Sequence, residues 1–233
     1  MKVSIVIPTL NEEKLIQATL SSIRSQETNH EIELIVVDSY SEDRTVDIAK
    51  EFADKILFAP PGIIAVARNK GSMESKGEII VSAGADSIYD KHWIEELIAP
   101  IEKGKAVATA GKLLPMDGNL VENVFAEYIL NPIQFFTFSF GMPYAGGDNM
   151  AFSRKAFLNV GGFRTDLVTS EDLDLLKRLR KVGRISYCSK AVAIVSMRRV
   201  KKWGYAKYLF FHSTNFLKMQ FSGKAHSTYE PIR

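Results

Sequence analysis

The chain has 233 residues, 46% hydrophobic and 24% charged, a composition typical of one or two globular domains and unlike that of a disordered or collagen-like chain. Its single cysteine, Cys188, excludes an intrachain disulfide framework and a cysteine-rich zinc site. The net charge of +3 is unevenly distributed: residues 1–174 hold 26 acidic and 16 basic residues, a net charge of −10, whereas residues 175–233 hold one acidic and 14 basic residues, a net charge of +13.

The basic C-terminal part of the chain predicts an anionic partner, and nucleic acid, a membrane surface and phosphorylated ligands are all open at this point. The N-terminal apolar stretch is short and acidic residues follow it directly, so we expect no secretory signal and a cytoplasmic location. Residues 128–147 carry no charge, but their prolines and glycines favour a broken, aromatic-rich loop or short helices over a membrane span.

Strand and helix patterns alternate along the first half of the chain. Apolar runs predict strands over residues 3–8, 33–38, 55–58, 78–83 and 106–110. The first two helices are expected to begin at polar caps. For the first helix, Thr9 and Glu12 have the spacing of a capping box, with Asn11 as a rival cap, and for the second helix the expected cap is Ser41. Further helices are predicted over residues 65–75 and 92–103. This alternation predicts an α/β fold with one mainly parallel or mixed sheet sandwiched by helices.

The second half of the chain is less regular. Strands are predicted over residues 149–153, 184–188 and 191–196, and a helix over residues 173–182. Residues 202–221 form a further helical candidate that carries many aromatic side chains. We find no internal repeat and no linker, so one domain with a C-terminal appendage is the simplest organisation.

Three polar clusters follow predicted strands, at residues 8–12, 38–41 and 84–87. Ligands of open parallel sheets bind beyond the carboxyl ends of the strands. Turn formation explains any one cluster, but three at one sheet edge favour a ligand site. The chain lacks the glycine-rich fingerprints of dinucleotide-binding folds and P-loop NTPases, which disfavours both classes.

Five segments occur in the order found in a known family: VSIVIPTLNEE (3–13), IELIVVDSYSEDRTVDIAKEFAD (32–54), ARNKGSMESKGEIIVSAGAD (67–86), GGDNMAFSRKAFLNVGGF (146–163) and SEDLDLLKRLRKVGRI (170–185). The chain resembles the family 2 glycosyltransferases, which have the nucleotide-diphospho-sugar transferase (A-type) fold. The resemblance implies a catalytic domain over residues 1–196, with a nucleotide-sugar half (1–110) and an acceptor half (111–196). Residues 197–233 then form a basic, aromatic appendage.

The resemblance also implies a nucleoside diphosphate sugar as donor, with either UDP or GDP as the nucleotide. An aspartate at the end of the second strand would accept a hydrogen bond from the base, and an arginine would pair with the diphosphate. For that arginine the alternative is a surface ion pair. The implied donor-binding residues are Pro8, Thr9, Asn11, Glu12, Asp38, Arg68, Asn69 and Ala85.

Asp86 matches the last aspartate of the family's D-x-D signature, which holds a divalent cation on the donor diphosphate. Mg²⁺ or Mn²⁺ suits such oxygen ligands and would stabilise the leaving diphosphate as a Lewis acid. Gly84 stands where the first aspartate of the signature is expected. This departure puts donor affinity and metal dependence in question. It also leaves open a non-catalytic nucleotide-sugar or carbohydrate-binding module.

Residues 170–172 match the family's E-D motif at a helix start. The resemblance implies that Asp172, and less clearly Glu171, is the general base that takes a proton from an acceptor hydroxyl in an inverting transfer. The alternative is helix capping by Ser170 with acidic residues in the first turn. A phosphate acceptor would need no base. Asp148 and Asn149 are candidate acceptor contacts, or residues of an ordinary turn.

Two aromatic stretches have two interpretations each. The phenylalanines and tyrosine of residues 125–140 indicate either core packing or an apolar surface that contacts a membrane or a lipid-carried acceptor. Basic and aromatic residues alternate over 198–221, which indicates an interfacial helix on anionic lipid or a final helix that covers an apolar face. Arg198 or Arg199 could instead reach the donor diphosphate or an acceptor phosphate. Nucleic-acid binding ranks last because no recognised motif accompanies the charge.

The sequence therefore predicts an inverting, metal-dependent glycosyltransferase at the cytoplasmic membrane face, acting on a hydroxyl or phosphate of a lipid-linked or polysaccharide acceptor. A nucleotidyltransferase of similar fold is disfavoured, because the glycine-rich basic loop expected after its first strand is missing.

Overall fold

The structure is a computed structural model that describes residues 1–229. These residues form one eight-stranded sheet with the order β3-β2-β1-β4-β7-β6-β8-β5. The strands are β1 (Lys2–Thr9), β2 (Glu31–Asp38), β3 (Lys55–Phe58), β4 (Ile79–Ala83), β5 (Ser87–Tyr89), β6 (Ala108–Pro115), β7 (Asn149–Ser153) and β8 (Ile185–Val195). The prediction of a single mixed sheet between helices is confirmed.

Helices cover both faces of this sheet. They are α1 (Ile16–Arg24), α2 (Thr45–Lys50), α3 (Ile64–Glu74), α4 (Trp93–Glu102), α5 (Leu120–Phe125), α6 (Asn131–Ser139), α7 (Arg154–Asn159), α8 (Glu171–Leu179), α9 (Arg198–Trp203) and α10 (Tyr205–Ser222). One apolar core lies against α1 and α4, and a second lies against α3, α7 and α8. Successive residues of β1 and β2 enter opposite cores, which explains their continuous apolar runs.

The parallel part of the sheet brings the predicted polar clusters to one edge. Strands β3, β2, β1 and β4 run parallel, and Thr9 at the end of β1 is paired with Asp38 at the end of β2. Strand β7 then pairs with β4 in the antiparallel direction. The loops that follow β1, β2 and β4 therefore leave the sheet on the same side, where ligands of such sheets bind.

One strand, β8, replaces the two predicted over residues 184–188 and 191–196. Its pairing with β6 changes register between Gly111 and Lys112. The side-chain amide of Asn149 fills this irregularity, donating to the carbonyl oxygens of Lys112 at 2.9 Å and Ala191 at 3.0 Å. A Cβ on Gly111 would lie 2.3 Å from the Ala191 carbonyl oxygen, so only glycine fits there.

The predicted helix caps are wrong. Helix α1 begins at Ile16 without a side-chain cap, because Thr9 is the last residue of β1 and donates its hydroxyl to Asp38. The Ser41 hydroxyl also donates to Asp38, and α2 begins only at Thr45. Ser170 has a left-handed backbone with φ of 61° and makes no capping bond to α8. In each case the hydroxyl that local spacing assigned to a cap is bonded elsewhere, and those of Ser41 and Ser170 also accept from Asn11 and Asn215.

Residues 120–139 are helical throughout, which is longer than the short helices expected. Helices α5 and α6 are joined by one wide π-helical turn, Ala126–Leu130. Pro132 follows directly; it lacks a backbone N–H, and such interruptions of the hydrogen-bond ladder widen or bend helices. The predicted helix over 202–221 is interrupted at Gly204, whose φ is +78°. No helix within residues 1–229 is both long enough and apolar enough to cross a bilayer.

Candidate functional site

The loops after β1 and β2 are locked together around Asp38. Its carboxylate accepts hydrogen bonds from the Thr9 hydroxyl at 3.0 Å, the Ser41 hydroxyl at 2.5 Å and the Ser41 amide at 2.8 Å. Asn11, with φ of 54°, completes the junction by accepting from the amide of Glu42 at 2.8 Å. Asp38 has no exposed surface, so the carboxylate expected to contact a base instead shapes the loops in this structure.

Arg198 crosses from the start of α9 to the ends of β1 and β4. Its guanidinium donates two hydrogen bonds to the Glu12 carboxylate, at 2.5 and 2.8 Å, and lies 2.9 Å from Asp86 Oδ2. Glu12 is 5% exposed, so this pair is largely shielded from water. Burial and the nearby Asp148 raise the pKa of Asp86 to about 6, although Arg198 opposes the shift. A nearby positive charge therefore stabilises the ionised form of Asp86.

Gly84 faces the Asp148 side chain. A Cβ at residue 84 would lie 3.0 Å from the Asp148 Cγ and 3.0 Å from the Ser87 hydroxyl oxygen, so a side chain there would require Asp148 and Ser87 to shift. The Asp148 carboxylate thus lies beside Gly84, the position where the D-x-D signature has its first aspartate. Among residues 1–229 no group of three or more histidine, cysteine or acidic residues is arranged to hold a metal. A cation that keeps water and phosphate ligands, as Mg²⁺ does, fits Asp86 better than a fully protein-ligated one.

A second charged cluster joins α3 to α8. Arg68, 3% exposed, contacts Glu171 at 2.5 Å and Asp148 at 2.7 Å. It was predicted to meet the diphosphate or to form a surface ion pair, but its guanidinium is held by the buried Glu171 and by Asp148, whose side chain is partly exposed. Gly147 allows this approach, because a Cβ there would lie 1.9 Å from Arg68 Nη1.

Asp172, half-buried, lies beside this cluster at the start of α8. Its oxygens accept hydrogen bonds from the backbone amides of Gly147 and Leu173, both at 2.7 Å. Burial raises the pKa of both Asp172 and Glu171, and Arg68 opposes the rise in each. Three carboxylates therefore surround one guanidinium, and the excess negative charge favours taking up a proton, as a general base does.

The other predicted residues make structural contacts. The Asn69 side chain accepts from the Phe163 amide at 3.0 Å, and the Ala85 carbonyl accepts from the Thr19 hydroxyl at 2.9 Å. Asn149, a candidate acceptor contact, is 1% exposed and accepts from the Trp93 indole at 2.7 Å. Its amide is committed to the sheet, so Asp148, with 41% of its side chain exposed, is the accessible residue of that pair.

Two partners of the site were missed by sequence reasoning. The Tyr89 hydroxyl accepts from the Gly84 amide at 2.8 Å and donates to the Asp148 carbonyl at 2.9 Å, which fixes the two loops to each other. Asn215 of α10 donates to the Ser170 hydroxyl at 2.6 Å, which supports the left-handed residue before Glu171. Both are long-range contacts of residues with ordinary local sequence, so no motif indicates them.

Replacing Arg68 with methionine is expected to lower the free energy of unfolding by about 3–5 kcal/mol, because Glu171 would stay buried without its partner. Urea denaturation measures this change. The control is Arg164→Met, which breaks the exposed pair of Arg164 with Asp166 and is expected to cost about 0–1 kcal/mol. Equal effects of the two substitutions would contradict the assignment of Arg68 as a buried ion-pair partner.

Comparison with solved structures supports the fold. The chain superimposes on the Pyrobaculum calidifontis mannosyltransferase PcManGT, solved with GDP-Man and Mn²⁺, with a TM-score of 0.73 and 23% identity, over 96% of this chain and 65% of that one. It also superimposes on S. aureus TarS 1–349, solved with UDP-GlcNAc, with a TM-score of 0.69 and 20% identity, over 84% of this chain and 58% of that one. The fold is that of the nucleotide-sugar glycosyltransferases.

Sequence comparison identifies the family. The probable glycosyltransferase YdaM of Bacillus subtilis is 29% identical in an alignment of 201 positions that covers 78% of this chain and 47% of that protein. The O-antigen chain rhamnosyltransferase WbaN of Salmonella anatum is 23% identical in an alignment of 239 positions that covers 94% of this chain and 75% of that protein. The chain thus spans about half of the first relative. The family model for glycosyl transferase family 2 matches residues 4–161, ending before Glu171. Because this match covers more than half of the sequence, the chain belongs to glycosyl transferase family 2.

Proposed function

We propose that the chain is the catalytic domain of an inverting glycosyltransferase that moves a sugar from a nucleoside diphosphate sugar to an acceptor. The observation that carries this proposal is the position of Asp172, a half-buried carboxylate with a raised pKa that accepts from the Gly147 amide, next to the sheet edge where ligands of such folds bind. Asp172 would take the proton of an acceptor hydroxyl as its oxygen attacks the anomeric carbon. Glu171, buried against Arg68, would hold Asp172 in place and would not itself touch substrate.

The donor-binding residues would be those of the interlocked loops and of β4. Thr9, Asn11 and Asp38 would shape the nucleoside pocket, with Pro8, half-buried in β1, at its edge. The backbone of Ala85 would contribute next to Asp86. Arg68 and Asn69 would support this side of the site through the cluster and the turn that they hold. Solved relatives bind UDP-GlcNAc and GDP-Man, so either nucleotide is compatible with this fold.

Mg²⁺ or Mn²⁺ would bind at Asp86, where the positive charge of Arg198 already lies. The ion would act there as a Lewis acid that stabilises the leaving diphosphate. Glu12 would retain Arg198 at the edge of the site, and Arg198 could then pair with phosphate oxygens. The Asp148 carboxylate beside Gly84 would add negative charge near the ion or contact the acceptor.

The acceptor would be lipid-linked or a polysaccharide, and the protein would be cytoplasmic with peripheral contact to the membrane through residues 198–221. The relatives include a Pyrococcus furiosus dolichol-phosphate mannosyltransferase and a Staphylococcus aureus poly(ribitol-phosphate) N-acetylglucosaminyltransferase. Their names describe carrier-linked and polymeric acceptors. The domain division at residues 110 and 196 belongs to the same proposal. A nucleic-acid partner is not proposed.

The test is a screen of purified protein against UDP- and GDP-sugars with and without Mn²⁺. A donor at about one hundred times its Kd should stabilise the fold by about 2.7 kcal/mol, which raises the melting temperature by roughly 5–10 °C for a domain of this size. The same donor should be hydrolysed or transferred slowly. Binding of a donor without any turnover would instead identify a non-catalytic binding module, and no binding of any donor would refute the proposal.

A further inference from the structure

Helix α6 buries two amides and exposes large aromatic side chains. Asn131, Gln134 and Phe138 face the protein at 6%, 1% and 7% exposure, whereas Phe135 and Phe136 face outward at 51% and 56%, and Phe140, directly after the helix, is 73% exposed. The buried amide of Asn131 is satisfied, since it donates to the Ala126 carbonyl at 2.7 Å and accepts from the Tyr187 hydroxyl at 2.9 Å. A helix that meets water normally buries its apolar stripe. The outward side of α6 is therefore suited to an apolar environment.

Helix α10 shows the same arrangement with lysines added. It buries Asn215 at 2% and Met219 at 0% exposure, and presents Phe210 at 73% and Phe221 at 80%. Lys207 precedes Phe210 by three positions and Lys218 precedes Phe221 by three, so each lysine shares a helix face with a phenylalanine. Apolar side chains flanked by lysines are typical of helices that lie in a membrane interface.

The two helical stretches are connected near both ends of α10. At one end, the Tyr205 hydroxyl donates to the carboxylate of Glu122, which lies in α5. At the other end, Tyr144, which follows α6, packs edge-on against Phe216 with ring centroids 5.4 Å apart. These contacts join residues 120–144 to α10 near both of its ends. We call the outward sides of residues 120–140 and 205–224 the aromatic–lysine surface.

The charge of the C-terminal part determines which partner this surface fits. Residues 198–224 contain seven lysines and arginines and no aspartate or glutamate, and the two glutamates of residues 120–140 are paired, Glu122 with Tyr205 and Glu127 with Lys112. A second copy of the chain docked through the same surface would bring two such basic regions together, which is electrostatically unfavourable. An anionic bilayer offers negative headgroups to the lysines and an acyl region to the phenylalanines.

We propose that the aromatic–lysine surface docks on an anionic lipid bilayer, with the aromatic side chains of residues 120–140 and of α10 entering the interface. This extends the membrane contact named above to α5 and α6, and it stands whether or not the chain transfers sugars. Asn215 connects the surface to the site, because it donates to the hydroxyls of Thr169 and Ser170 directly before Glu171. The candidate site then lies beside the headgroups.

Vesicle flotation of the whole chain tests this proposal with phosphatidylcholine vesicles alone and with added phosphatidylglycerol. We expect flotation only with the anionic vesicles, and less of it as salt is raised. Lys207→Gln/Lys218→Gln/Lys224→Gln is expected to weaken partitioning about fivefold for each lysine, or on the order of a hundredfold in all. Phe136→Ser/Phe140→Ser should also abolish flotation at moderate lipid concentration without lowering the melting temperature, because both side chains are exposed.

Matched controls alter exposed residues elsewhere. Lys14→Gln/Lys50→Gln/Lys91→Gln changes the net charge equally within the acidic part of the chain, and Leu158→Ser removes an exposed apolar side chain from α7. Both controls should float like the unaltered protein. The proposal is overturned if the unaltered protein ignores anionic vesicles, or if the lysine variant and its control behave alike. It is also overturned if light scattering shows a dimer that Phe136→Ser/Phe140→Ser dissociates, because the surface would then be an interface between copies.

Discussion

Asp172→Asn is expected to lower the rate of sugar transfer to a hydroxyl by about 10²–10⁴-fold while leaving donor affinity within a few fold. The asparagine occupies the same space but cannot accept the proton. It also turns an NH₂ group toward one of the two backbone amides, of Gly147 and Leu173, that now donate to the carboxylate. Single-turnover transfer and calorimetric titration of the donor measure the two quantities separately.

The pH dependence should follow the same group. Because the base works in its ionised form and burial raises the pKa of Asp172, the rate should fall as the pH is lowered through a value above that of an ordinary aspartate, about 3.9. The matched control is Asp174→Asn on the same helix, where the carboxylate pairs with Arg178 at 2.7 Å. That variant should lose stability but keep its rate. Transfer to a hydroxyl acceptor by Asp172→Asn at the unaltered rate would refute the base assignment.

Asp86→Ala is expected to abolish the part of nucleotide binding that depends on Mn²⁺. Even outer contacts of a metal site change affinity by about 10–100-fold, so removal of the proposed ligand should cost at least that much. Titration of UDP and GDP with and without Mn²⁺ measures the difference.

Arg198→Ala provides the comparison for Asp86→Ala, since both substitutions break the 2.9 Å contact between the two side chains. Only Arg198→Ala leaves the Asp86 carboxylate in place. Mn²⁺ affinity in the absence of nucleotide should therefore be retained or increase in Arg198→Ala, because the competing positive charge is removed. Metal-dependent nucleotide binding that survives in Asp86→Ala would exclude Asp86 as the ligand.

Elements buried on both faces were predictable from the sequence, and their junctions were not. The apolar runs of β1, β2 and β4 place these strands within two residues, because a strand between two cores has only one way to bury such a run. Thr9, Ser41 and Ser170 fit local capping rules, yet each hydroxyl has a distant partner. Thr9 donates to Asp38, 29 positions away, Ser41 accepts from the amide of Asn11, 30 positions away, and Ser170 accepts from Asn215, 45 positions away. Local propensity yields where a tertiary hydrogen bond satisfies the same side chain.

The candidate site was likewise predictable only in part. The strand pattern placed the polar clusters around Asp38 and Asp86 at one edge of the sheet, as the structure has them, but it could not reveal how the charges pair. Arg68 is separated from Glu171 by 103 positions, and Arg198 from Glu12 by 186. No spacing rule reaches across such distances. The burial of Asn131 and Gln134 by α6 also escapes sequence reasoning, because an alternation of polar and aromatic residues does not indicate which side of the helix faces the core.

The position of β5 at the sheet edge has a consequence for synthesis. Its three residues pair with the end of β8, Ser87 with Val195 and Tyr89 with Ala193. Strands β7, β6 and β8, which separate β4 from β5 in the sheet, are all made later than β5. At about 5–20 residues per second, a ribosome adds these missing strands over roughly ten seconds. During that interval the nascent β4 and β5 expose unpaired edges and the apolar residues of both cores. Protection of the nascent chain by a chaperone should therefore matter most before residue 195 leaves the exit tunnel.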